Sequence, residues 1–184
     1  MKNVFSVFGL TLLLLNAKAQ IYTAKAGATS ITFFSEAPLE NIEAVNKGAS
    51  VVFRASTADI QIGISIQNFK FKNGLMEEHF NENYMETEKY PKCIFKGKIN
   101  EAIDYNKEGE NKVTVSGKME MHGVTKDVTI PGIITKVGEE YKLDCTFKIK
   151  ITDYNIKVPS MYVKNIAEEV TVTFKTTLEQ MNKK

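Results

Sequence analysis

The chain has 184 residues, 24 basic and 22 acidic side chains, a formal net charge of +2, and 10% aromatic residues without a tryptophan. So near a balance excludes recruitment of nucleic acid or an anionic membrane by bulk charge. The length suits one domain with a core of its own.

The first element is a leader. MKNVFSVFGLTLLLLNAKAQ carries a cation at Lys2, an apolar run from Val4 to Leu15, then Ala17-Lys18-Ala19. That pattern is a signal peptide over residues 1–19 with an A-x-A cleavage site, and the run is short for a spanning helix. Cleavage before Gln20 predicts an exported protein, periplasmic or secreted. No cysteine follows the run to be acylated, and losing Lys2 and Lys18 brings the basic residues level with the acidic ones. The mature chain, 20–184, reads as a single domain with no transmembrane segment and no linker or repeat.

Beyond Gln20 a period of two governs most of the chain, the mark of strands with one buried and one solvated face. In chain order, strands are predicted over Ile31 to Ser35, with Phe33 on the apolar side, and over Ile42 to Ala55, broken near Lys47-Gly48. Another carries Ile60, Ile62, Ile64 and Ile66. Alternation then stops. LMEEHFNENYMET, from Leu75 to Thr87, predicts a helix of about three turns, started by Asn73 as a cap and stopped by Pro91. Strands resume with Cys93, Phe95, Gly97 and Ile99, then Val113, Val115, Gly117, Met119 and Met121. The next two run from Val124 to Val137, with Val128, Ile130, Gly132 and Ile134 on the apolar side, and from Tyr141 to Asp153, with Leu143, Cys145, Phe147 and Ile149. Val170, Val172, Phe174, Thr176 and Leu178 complete the set. Lys72-Asn73-Gly74, His122-Gly123 and Gly138-Glu139 mark tight antiparallel connections.

About eight such strands predict an all-β fold, an extended eight-stranded antiparallel barrel with one short inserted helix. Alternation alone does not say whether the apolar face looks in or out. Lys142, Lys148 and Lys150 on one strand, the absence of tryptophan and the polar end EQMNKK favour a soluble barrel over a membrane barrel. In a soluble barrel the lumen receives Phe33, Ile62, Ile64, Phe95, Val115, Met119, Ile130, Leu143, Phe147, Val172 and Phe174. Gly97, Gly117 and Gly132 share that face. They either relieve curvature or leave space along the axis, and both readings stay open. On the second reading, Gly117→Leu should fill a tunnel without unfolding the barrel.

Chemistry is sparse. His79 lies among Glu77, Glu78 and Glu82, but no second nitrogen ligand is near in sequence and no His-Glu-x-x-His occurs, so no metal and no cofactor is expected. His122 reads as a turn residue bonded to its own hairpin. No G-x-S-x-G motif and no Gly-rich phosphate loop is present, so no catalytic residues are assigned and the chain is read as not an enzyme. Cys93 and Cys145 point inward from non-adjacent strands and read as free thiols.

The segments FKFKNGLMEEHFNENYMETEKYPKCIFKGKI, VSGKMEMHGVTKDVTIPG, FKIKITDYNIKVP and IAEEVTVTFKTTL together resemble the YceI-like family of bacterial lipocalin-like, polyisoprenoid-binding proteins. The likeness spans nearly the whole mature chain. Its most specific pieces are the Glu-His-Phe helix turn before a Tyr-Pro strand start and the hairpin His122 to Lys126. The resemblance implies an extended barrel that binds one long isoprenoid or other long-chain lipid in its lumen, as carrier or storage protein, often as a homodimer. The alternative is a packed barrel acting through its outer surface as an interaction or stress-related module. Interior volume discriminates the two.

Overall fold

In the computed structural model, which describes residues 20–37, 39–159 and 166–181, eleven strands form one antiparallel sheet. They are β1 (Ile21–Ala24), β2 (Ser30–Glu36), β3 (Asn41–Asn46), β4 (Ser50–Arg54), β5 (Asp59–Ser65), β6 (Lys70–Phe71), β7 (Lys92–Ile99), β8 (Gly109–Met121), β9 (Val124–Val137), β10 (Glu140–Lys150) and β11 (Glu169–Gln180). The leader expected over residues 1–19 lies outside the described residues.

Eight of the strands close a ring in the order β1-β4-β5-β7-β8-β9-β10-β11, and β11 returns to β1 with Tyr22 opposite Gln180. The other half of β11 pairs with β2, which carries β3 and then β6 outward. So β1 and β2 lie end to end along β11, and β4 and β3 continue the next row. The break between β3 and β4 falls where the sequence suggests, and Asn46 explains it. Fully buried, Asn46 accepts a hydrogen bond from Gly48 N at 2.9 Å and donates to the Ser65 carbonyl at 2.9 Å, so the chain turns without orphaning a buried amide. Neither β1 nor β6 is marked by alternation, being only four and two residues long. The strand from Tyr141 ends earlier than expected, at Lys150. Ile151–Tyr154 forms a 3-10 turn, which Asn155 closes at a left-handed φ of 57°.

The apolar set faces inward. Outside, Lys118 pairs with Asp127 at 2.8 Å, Lys175 with Asp144 at 3.1 Å and Lys148 with Glu169 at 3.6 Å. β8 and β9 span 13 and 14 residues, so each runs about 40 Å along its own axis.

The inserted helix is shorter than its sequence pattern. Asn73 caps α1 (Gly74–His79) by accepting a hydrogen bond from Leu75 N at 2.9 Å. The chain then widens into a π turn, Phe80–Tyr84, and ends through the Thr87 amide, which bonds the Asn81 carbonyl at 2.8 Å. The widened turn directs Phe80 inward, against Phe33, Phe69 and Phe71, with ring centroids 5.4, 5.9 and 5.0 Å away.

His122 departs from its expected role. It and Gly123 take φ of 51° and 72°, as the two central residues of a tight hairpin require. Its ring, however, leaves the hairpin. Nδ1 donates to the Tyr154 carbonyl at 2.9 Å, Nε2 faces Glu86 Oε2 at 3.0 Å, and the Tyr90 ring lies 4.5 Å away. One buried side chain thus joins the β8–β9 hairpin to the turn after β10 and to the segment after the helix. His122→Ala should cost about 1–3 kcal/mol, because the Tyr154 carbonyl loses its donor in a buried place. Urea unfolding of the variant measures this, and an unchanged midpoint would show that water replaces the ring.

Candidate functional site

Strand parity dictates which side chains enter the lumen, and their exposure shows that they do not fill it. Ile62, Ile64, Val115, Leu143, Phe147 and Val172 all point inward yet are only half-buried, whereas Phe53 and Leu178 at one end are fully buried. The half-buried set lines open space. A cavity of about 370 Å³ occupies the end near α1, bounded by Phe33, Ile64, Met119, Phe147, Val172, the Phe69–Phe71–Phe80 cluster and Met76. A narrower cavity of about 100 Å³ lies deeper, between Ile60, Ile62, Phe95, Val115, Ile130, Gly132, Leu143 and Phe174. Ile31, Ile64, Cys93, Met119, Phe147 and Val172 line both, so the two are successive sections of one apolar lumen.

The far end is plugged. Tyr22, Phe53, Tyr105 and Tyr141 interlock there, with the Tyr22 and Tyr141 rings edge to face at 4.7 Å and the Phe53 and Tyr141 rings at 5.6 Å. The Tyr141 hydroxyl donates to the Tyr105 carbonyl at 2.6 Å, and burial pushes its pKa upward. Among the described residues, the helix end alone is left as a mouth. Its polar rim consists of Glu40, Asn73, His79 and Tyr84, while Ser35 is engaged by Ala167 N at 2.9 Å. Leu39 and Leu75 stand exposed beside it, at 67% and 56%.

Of the residues predicted for the lumen, Phe33, Ile62, Ile64, Phe95, Val115, Met119, Ile130, Gly132, Leu143, Phe147, Val172 and Phe174 line the two sections. Gly97 and Gly117 do not. They sit directly opposite each other on β7 and β8, and a Cβ on Gly117 would fall 2.2 Å from the Lys96 carbonyl oxygen and 2.5 Å from Gly97 Cα. These two glycines let two backbones approach; they do not widen the tunnel. Filling it through Gly117→Leu without unfolding is therefore ruled out by the backbone. Gly132 is also tight, its Cβ position lying 3.1 Å from the Asp144 carbonyl oxygen.

Reasoning on strands missed the contribution of the helix and turns: Met76, His79, Phe80, Tyr84, Ile151, Ile156 and Val158. The helical spacing of Met76, His79, Phe80 and Tyr84 was a signal that one face of the insertion packs on something.

Among the described residues no three His, Cys, Asp or Glu side chains lie close enough to hold a metal ion. Both thiols are free. Burial, with the Glu120 carboxylate adding to it, pushes Cys93 up to about 12; burial, with Asp144, pushes Cys145 up to about 11. A raised thiol pKa keeps the unreactive protonated form. Iodoacetamide at about pH 8 should leave the folded protein unmodified and alkylate both cysteines only after unfolding. Intact mass reads the outcome, and rapid labelling of the native protein would show that reagents enter the lumen and find thiolate.

Comparison with known proteins places this geometry. A family model described as the YceI-like domain matches residues 22–178. A polyisoprenoid binding domain from Saccharophagus degradans, implicated in plant cell wall breakdown, superposes with a TM-score of 0.75 at 17% identity, covering 89% of this chain and 100% of that one. BcnA of Burkholderia cenocepacia gives 0.68 at 22% identity over 81% and 95%. The YceI protein of Campylobacter jejuni gives 0.58 at 16% identity over the full length of both. No curated protein matches the chain. At these identities the structural likeness establishes the barrel fold.

Proposed function

The chain belongs to the YceI-like family, and from that premise we propose that it holds a long-chain isoprenoid or similar amphiphilic lipid in its lumen as a non-catalytic carrier or storage protein. The observation that supports this reading is the half-burial of inward apolar side chains around a lumen plugged at one end. A packed core would bury them fully, since protein interiors leave few voids larger than water. Apolar walls with a few polar groups at one opening also suit a ligand with a long tail and a small head. The likeness to a solved polyisoprenoid binding domain agrees with such a ligand. Export, to the periplasm or beyond, accompanies this role in our reading, because the leader over residues 1–19 would be removed before Gln20.

Organic extraction of the purified protein followed by mass spectrometry tests the reading. The expected result is a prenyl-chain lipid in molar proportion to protein. Extracts free of lipid, together with a failure to take up an added prenol, would refute the carrier role and leave the interaction module in its place.

A further inference from the structure

One stretch of the wall near the mouth is not held by a strand ladder. Among the described residues β6 pairs only with β3, Ala44 opposite Phe71 and Val45 opposite Lys70. Beside it the wide section is bounded by the inserted segment, through Met76, Phe80, Tyr84 and Met85. No residue of α1 is buried, so this stretch belongs to the elements that open at least cost. Polar bonds pin it at both ends. At its start Glu77 takes Lys70 Nζ at 2.5 Å and the Phe71 amide at 3.3 Å. At its end Glu86 meets the His122 ring.

The second pin differs from the first because one partner can lose its charge. The Tyr154 carbonyl and the Glu86 carboxylate, at 2.9 and 3.0 Å from the two ring nitrogens, both only accept. A neutral imidazole has one N–H to give, and the buried carbonyl has the stronger need of it. Nε2 then turns a lone pair toward the carboxylate, whose side chain is 47% exposed and can turn to water instead. The imidazolium serves both acceptors. Glu86 also holds a left-handed φ of 42°, which a residue with a side chain seldom keeps without support. The groups around the ring come from three directions. Glu86, Lys89 and Tyr90 follow the helix, Asp153 and Tyr154 follow β10, and Cys93 on β7 and Glu120 on β8 complete the set. Hydrogen bonding and charge from Tyr90 push Lys89 upward, and burial pushes Tyr154 and Cys93 up to about 12. Among these side-chain types, imidazole is the one that ordinarily changes charge between about pH 5 and 8.

We propose that His122 and Glu86 form a pH-sensitive clasp on the lumen: the doubly protonated ring holds the inserted segment shut over the wide section, and loss of the Nε2 proton as pH rises releases the segment's end. The clasp acts whatever occupies the lumen, so it goes beyond the carrier role and does not depend on it.

Amide hydrogen exchange at about pH 5.5 and about pH 8, read as protection over the intrinsic rate at each pH, reports opening of the segment. The reporters are the Met85, Thr87 and Tyr90 amides, bonded to the Phe80, Asn81 and Glu86 carbonyls at 2.8 Å, and the β8–β9 ladder is the reference for the whole barrel. Relative to that reference, reporter protection should fall about tenfold or more at the higher pH, as expected for loss of one charged hydrogen bond. Entry of an apolar fluorophore into the lumen should quicken in step. Glu86→Gln should abolish the pH dependence with the segment kept shut, because an amide donates to a neutral Nε2 and accepts from a protonated one. His122→Asn suits the left-handed backbone but is too short to reach Glu86, and should leave the reporters weakly protected at both pH values. Equal relative protection of the wild-type protein at the two pH values, or an unchanged pH dependence in Glu86→Gln, overturns the clasp. A fluorophore that enters equally fast while protection changes overturns the segment's part as the movable wall. One that enters at neither pH refutes the open lumen on which the carrier role stands, and the exchange data still decide whether the clasp exists.

Discussion

Gly117→Leu is expected to yield no folded barrel. The obstruction begins at the Cβ, 2.2 Å from the Lys96 carbonyl oxygen, and the atoms in the way are the backbone of β7. A flexible side chain would rotate aside, but a paired strand does not. Relief requires parting β7 from β8, which are registered from Ile94 opposite Glu120 to Ile99 opposite Val115. Ordinary overpacking costs about 1–3 kcal/mol because side chains share the displacement. Here the ladder itself must open, so the cost exceeds that range and Gly117→Ala suffices to produce most of it. Gly74→Ala is the matched control, since a Cβ there meets nothing within 4 Å and its backbone is already helical. That change should be neutral or stabilise by about 0.5–1 kcal/mol. Thermal unfolding followed by circular dichroism compares the variants, and a Gly117→Ala protein melting with the wild type would show that β7 and β8 stand further apart.

Val172→Phe should have the opposite signature, with lipid lost and the fold retained. Val172 stands opposite Phe147 on β10 and Phe33 on β2, and it lines both the wide and the narrow section. A third ring there closes the passage between them and denies the deep section to a tail. Because the added volume enters open space, the stability change should stay below the about 1–3 kcal/mol typical of an already packed core. Lipid carried per protein, by extraction and mass spectrometry, should fall about tenfold or more. Undiminished lipid would place the ligand outside the deep section, and strong destabilisation would show that the half-buried side chains close up in solution.

The contrast between these two positions shows what was legible in the sequence. Alternation is a local property, and it located the long strands and assigned Val172 and Gly117 alike to the inner face. How near the next strand lies is not local. Gly117 faces a second glycine twenty positions earlier only because β7 and β8 are registered as they are, and no pattern within one strand expresses that. The plug at the far end was hidden for the same reason. Tyr22, Phe53, Tyr105 and Tyr141 come from four separate parts of the chain, and only closure of the ring brings their rings within reach. His122 was read from its turn, where its backbone lies, while its ring answers to Tyr154 and Glu86 across the end of the barrel. The helix was legible in kind but not in extent, because the π turn at Phe80–Tyr84 arises where Phe80 reaches into the aromatic cluster.

The pairing of Tyr22 with Gln180 has a temporal consequence. From β7 to β11 each strand pairs with its neighbour in sequence, β8–β9 and β9–β10 through two-residue turns and β7–β8 and β10–β11 through connections of 9 and 18 residues. The seam between β1 and β11 joins segments 158 residues apart, Tyr22 and Gln180, so its entropic cost falls due in one late step. Until that step the sheet keeps two unpaired edges, each able to recruit a strand from another molecule. Closure through such distant contacts is slow, on the order of milliseconds to seconds. The interval before the seam forms is the period in which this chain is most exposed to aggregation, and its duration is set by the ends of the chain, not by the long strands that make up most of the wall.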